Sequence, residues 1–129
     1  MPRLILPALF LFVLAVPSVL AQDATKVDSQ HYKVEFENAR VRILRVKYGA
    51  HEKSVMHSHP DSVAVFPRDG RVKFTYPNGK TEEREMKAGQ AMFTPAATHL
   101  PENLSDDEME VVLIELKGPA RKHHHPLKR

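Results

Sequence analysis

The chain has 129 residues, with 19 Lys+Arg, 16 Asp+Glu, eight histidines, a formal net charge of +3, and neither Cys nor Trp. The lack of cysteine excludes disulfides, a thiolate nucleophile and a thiolate metal site. The basic excess is not a nucleic-acid signature: Lys117, Arg121, Lys122, Lys128 and Arg129 lie in the last thirteen positions without an acid, whereas residues 22–116 carry 13 basic and 16 acidic residues and no basic patch interleaved with aromatics.

Residues 1–21 have the layout of a secretory signal peptide: Arg3 supplies the positive start, residues 4–19 are almost all apolar, and Val19-Leu20-Ala21 offers small residues for cleavage after Ala21. The run is short for a bilayer span of about 20 residues, and Pro7 and Pro17 interrupt it. The expectation is an exported chain, periplasmic or secreted, with no membrane attachment after cleavage. A polar lead over 22–30 follows.

The body from 31 to 117 reads as short strands. Residues 31–37 alternate Tyr32, Val34 and Phe36 with polar neighbours, and 40–48 form a second strand of mixed register. Residues 71–76 alternate again, 81–87 are a polar partner, and 90–95 and 109–117 complete the set. Alternation at period two, rich in Val, Phe and Tyr, is the signal of a half-buried strand. Asp69-Gly70 and Lys87-Ala88-Gly89 mark turns. Pro77-Asn78-Gly79 predicts a tight hairpin in which both Asn78 and Gly79 take positive φ. Residues 102–110 read as a charged loop, and no stretch sustains a 3.6-residue period. About eight short strands imply an all-β barrel or sandwich. Met56, Met92 and Phe93 are expected in the core. Residues 118–129, with His123–His125, are a basic tail read as a solvated end.

Three histidines carry the chemistry. His57 and His59 are two apart, so on a strand they share a face, with Val55 and Val63 on that face if the register holds. An inward imidazole needs a partner, because an unpaired buried polar group costs kilocalories. The spacing alone fits either two hydrogen-bonded histidines or two metal ligands. His99, forty residues on, is a third candidate that hairpin topology can bring opposite the pair, and three imidazoles inside a small barrel point to a divalent metal. His51 is read as exposed.

With these residues in view, the chain resembles the small single-domain members of the cupin superfamily. Their first motif runs G-x5-H-x-H-x3,4-E-x6-G. Here it reads His57-x-His59, three residues, Val63 in the place of the glutamate, six residues, and Gly70, with His51 where the leading glycine belongs. The second motif, G-x5-P-x-G-x2-H-x3-N, is met by Gly89, Pro95, Ala97 for a glycine, His99 after a spacer one residue short, and Asn103. Asn103 also opens an Asn-Leu-Ser glycosylation sequon, which the motif position explains more simply.

The resemblance spans roughly residues 32–117. It implies a double-stranded β-barrel (jelly roll) holding a metal through His57, His59 and His99. Such sites take Fe, Zn, Cu, Ni or Mn, and imidazole donors do not discriminate among them. Asp61, Glu52 and Glu102 are conceivable replacement donors without positional support. Three neutral imidazoles leave an ion's +2 charge uncompensated, so the open positions favour an anionic small molecule. The function expected is that of an exported metallo-cupin acting on such a molecule, as a dioxygenase. The alternatives are a non-catalytic binding module and a zinc-hydroxide hydrolase. A homodimer formed through the first strand is a further expectation.

Overall fold

The computed structural model describes residues 22–118; the signal-peptide reading of 1–21 and the tail beyond Gly118 lie outside the described residues. Among the described residues no helix is long and apolar enough to cross a membrane. The elements in order are α1 (Ala24–Val27), β1 (Tyr32–Glu37), β2 (Val41–Tyr48), β3 (His57–His59), β4 (Ser62–Val65), β5 (Gly70–Thr75), β6 (Thr81–Met86), β7 (Ala91–Thr94), β8 (Ala97–Asn103) and β9 (Met109–Leu116). They form two antiparallel sheets, one of five strands in the order β1-β2-β9-β4-β7 and one of four in the order β3-β8-β5-β6. This is the all-β architecture that the alternating runs predict, in the jelly-roll form that the resemblance implies.

Alternation sets the two faces of the larger sheet. Leu44, Val46 and Tyr48 on β2 point inward with Leu113 and Met109 on β9 and Ala64 on β4, and all six are buried. From the second sheet Val72 and Met86 meet them. The lead is part of the fold. Ala24 is fully buried, Asp23 caps α1 by accepting from the Thr25 amide, and the Gln22 carbonyl accepts from the Ser58 amide. It straps β3 from outside.

Several expectations are corrected. The run 54–70 is not one strand face: Pro60 separates β3 from β4, and the two strands belong to opposite sheets. Val55 is 47 % exposed rather than inward. Val34 and Phe36 are about half exposed, because β1 is a sheet edge and its register shifts between them. Phe93 is 56 % exposed, outside the core. In the 76–80 turn only Gly79 takes positive φ (82°). Pro77 holds its own φ near −65°, so the loop forms a turn followed by a left-handed glycine, with the Lys80 amide donating to Asn78 Oδ1.

Candidate metal centre

Strands β3 and β8 build the site by pairing antiparallel with His57 opposite His99 and His59 opposite Ala97. Alternation turns all three imidazoles to one face, while Ser58 and Thr98 bond to each other on the reverse (2.6 Å). The small Ala97 leaves room beside His59. The rings stand edge to face, with centroids 4.7 Å apart for His57–His59, 5.1 Å for His57–His99 and 5.5 Å for His59–His99. One nitrogen from each lies within 4.8 Å of those of the other two. His57, His59 and His99 are thus brought together as expected.

Their second nitrogens decide whether they fit a metal. His57 Nδ1 lies 2.8 Å from the Val55 carbonyl, which only accepts, so this nitrogen carries the proton and Nε2 carries the lone pair. His59 Nδ1 lies 2.9 Å from Glu115 Oε1, so it donates there and again leaves Nε2 free. Glu115 is itself held by Arg42, which also reaches Asp23 (2.7 Å). A carboxylate behind a ligating imidazole fixes its tautomer and raises its basicity. Phe74 stacks on the His99 ring at 4.9 Å and 24°. Burial pushes His57 down to about 4, with the neighbouring His59 adding to it. Burial, then His59 and His57, push His99 down to about 3. Both rings are neutral at pH 7, as a metal requires. The donor set therefore fits a divalent ion.

The position expected to hold the missing carboxylate needs a shift of one residue. Val63 pairs with Ile114 and Phe93 on the outer face of its sheet, and the inward residue is Ala64, which lines the cavity. The spacer after His59 is four residues, and the place is aliphatic either way. None of the replacement donors substitutes for it. Asp61 caps the turn before β8 through the Ala96 amide, Glu52 bonds His31 and the Gly49 amide, and Glu102 pairs with Lys73. Negative charge enters instead one ring away, at Glu115.

His51, in the place of the motif's first glycine, is exposed as expected. It adopts φ 58°, the left-handed conformation that a glycine there accommodates without strain. Asn103 is fully buried. Its Nδ2 donates to the Gly49 and Asp107 carbonyls (2.9 and 2.8 Å), and its Oδ1 accepts from Ser105. This explains an asparagine there better than glycosylation does.

Two residues of the site escape the sequence reading. Glu115 is the lone acid among the inward positions of β9, which is a legible signal. Tyr32 is the other. Its hydroxyl lies 3.1 Å from His57 Nε2 and 2.6 Å from the Tyr48 hydroxyl, yet on an alternating strand it reads as ordinary core.

The site opens into a cavity of about 480 Å³ between the sheets. His59, His99 and Tyr32 line it together with Phe66, Met92 and Leu113, and Arg84 reaches it from β6.

The cupin domain family matches residues 44–115, more than half the chain. A cupin domain protein from Bordetella pertussis, 26 % identical, has a TM-score of 0.63 over 67 % of this chain and 92 % of its own. A protein from Bacillus halodurans, 14 % identical, gives 0.55 over 70 % of this chain and 72 % of its own. An RmlC-like cupin with a double-stranded β-helix fold from Methanocaldococcus jannaschii, 17 % identical, gives 0.52 over 69 % and 83 %; these last two speak to fold alone. No curated protein matches the sequence. With the family match spanning both motifs, and a two-sheet barrel built around the three histidines they contain, the chain belongs to the cupin superfamily.

Proposed function

We propose that this is an exported metallo-cupin that holds one divalent ion through His57, His59 and His99 and oxidises an anionic small molecule with O₂. The observation that carries the reading is the donor set: three convergent imidazoles, two with their Nδ1 atoms already bonded to acceptors, beside Ala64 where a carboxylate would complete the set. Fe, Zn, Cu, Ni and Mn all suit such donors, and outside the cytoplasm the affinity order favours Cu and Zn over Fe(II). When bound, the ion supplies a positive centre that attracts an anion and activates oxygen. The protein's part is to leave coordination positions open and to offer an apolar cavity of about 480 Å³ to the body of the substrate. Glu115, through His59, offsets part of the ion's charge, and its own charge is shared with Arg42. In a dioxygenase reaction both atoms of O₂ enter the organic product and the substrate supplies all four electrons, so no separate reductant is needed.

Export is supported by the pattern of residues 1–21. Cleavage after Ala21 leaves Gln22, whose carbonyl holds β3, as the first residue of the mature chain. N-terminal sequencing of the protein from its host then begins at Gln22, and a chain retaining Met1 overturns export.

Elemental analysis of the purified protein tests the rest. One metal per chain is expected, lost in His57→Ala and His99→Ala. Oxygen-electrode traces with a panel of carboxylic acids and 1,3-diketones should show one O₂ consumed per substrate. Stoichiometric metal with no turnover makes the chain a binding module, and a protein free of metal after reconstitution overturns the reading.

A further inference from the structure

The hydrogen bonds around His57 assign an acceptor to each proton. Val55 accepts the Nδ1 proton, so Nε2 is the acceptor and Tyr32 donates to it at 3.1 Å. The single proton of Tyr32 is thereby used, so the 2.6 Å bond between the phenols is donated by Tyr48 to the Tyr32 oxygen. Tyr32 is 4 % exposed, and its ring packs against both His57 and His59 at centroid distances of 4.8 and 5.5 Å. The lone pair that receives the Tyr32 proton is the one a metal ion takes from His57.

A bound ion therefore displaces the Tyr32 O–H from its acceptor. A buried hydroxyl left without an acceptor is costly, and Tyr32 is one of the residues that line the cavity together with His59 and His99. We propose that Tyr32 donates its hydrogen bond to the anion on the metal's open face, with Tyr48 donating to the Tyr32 oxygen behind it. The inference rests on the three-histidine metal reading and gives the substrate site its first binding residue outside the ligands. It restricts the substrate to molecules whose metal-bound atom still accepts a hydrogen bond: a carboxylate, an enolate or a diketonate. The rival arrangement turns the Tyr32 O–H back to Tyr48.

Azide binding to the Cu(II)-loaded full chain, followed by the azide-to-copper charge-transfer absorption, tests it. Tyr32→Phe is expected to weaken azide about ten-fold, the size of one hydrogen bond to a charged group. In the same protein Cu(II) binding is unchanged or tighter, because nothing competes for the His57 lone pair. Tyr48→Phe weakens azide in the same direction by a smaller factor. A purely structural Tyr32 lowers Cu(II) affinity and the melting temperature while leaving azide affinity per bound copper unchanged. Unchanged azide affinity in a Tyr32→Phe protein that holds Cu(II) normally overturns the proposal alone. A chain that binds no Cu(II) overturns it together with the reading it rests on.

Discussion

Glutamine at position 115 would keep the shape of the glutamate and remove its charge. The His59 Nδ1 proton would retain an acceptor, but the imidazole would be less basic and Arg42 would lose one of its two carboxylates. Partners of this kind are worth about 10–100-fold in metal affinity, so Glu115→Gln is expected to weaken metal binding by that order in a chelator competition. His57→Ala, by contrast, should abolish binding. The same side chains set the acid response of the metal-free protein. In the unfolded chain the imidazoles of His57 and His99 take up protons near their ordinary value of 6.5; in the folded chain they do so only at about 4 and about 3. Between these limits the unfolded state binds more protons, so the share of stability set by these two rings is full above pH 6.5 and falls as the pH drops, by at most about 1.4 kcal/mol per ring for each unit crossed. Urea midpoints measured on metal-free protein between pH 7 and pH 4.5 should decline steadily, and His99→Phe should flatten the slope. An unchanged midpoint over that range removes burial of neutral imidazoles as a cause.

Turns and caps carry the next level of specification. Gly79 has φ 82°, and the space a Cβ would fill has no neighbour within 4 Å, so Gly79→Ala meets no clash. Its cost is the left-handed backbone alone, about 1 kcal/mol, and thermal unfolding should show a modest loss. Asn103→Ala is more severe. It unties the Gly49 and Asp107 carbonyls and the Ser105 amide at a fully buried point, and about 2–4 kcal/mol is expected from denaturant titration. These elements also mark how far the sequence can be read. Six strands follow from alternation and turn residues to within a residue or two, because period two is a local property. The parting of β3 and β4 into opposite sheets is not local: it depends on β8 and β9 as partners, and Pro60 is its sole trace in the run. Parity along β1 fails at its bulge for the same reason. The three histidines are legible because their chemistry and spacing are unusual on apolar strands. Tyr32 is illegible because a tyrosine there is what a core requires, and only its distance to His57 distinguishes it.

The molecule as a whole departs from a sheet with one wet face. Across the outside of the five-stranded sheet, Phe36, Ile43, Ile114, Val63 and Phe93 are paired in register from edge to edge. Strands about 4.8 Å apart make this an apolar row roughly 19 Å long, exposed most at its ends, where Phe36 and Phe93 are 50 % and 56 % open. The inner face, not this row, holds the barrel together. Leu44→Ala removes a fully buried side chain and should cost about 2–5 kcal/mol, whereas Phe93→Asp should cost under about 1 kcal/mol in thermal unfolding. A row so nearly neutral to folding is still unfavourable in water, since apolar area costs about 25 cal/mol per Å². A second copy laid against it would cover it, and β1, the strand expected to join copies, contributes Phe36 at one end. Sedimentation of residues 22–129 should therefore show a concentration-dependent dimer. The Phe36→Asp/Phe93→Asp double variant, still folded because neither ring belongs to the inner face, should sediment as a monomer. If the unaltered chain is a monomer throughout the micromolar range, this face is not a contact between copies.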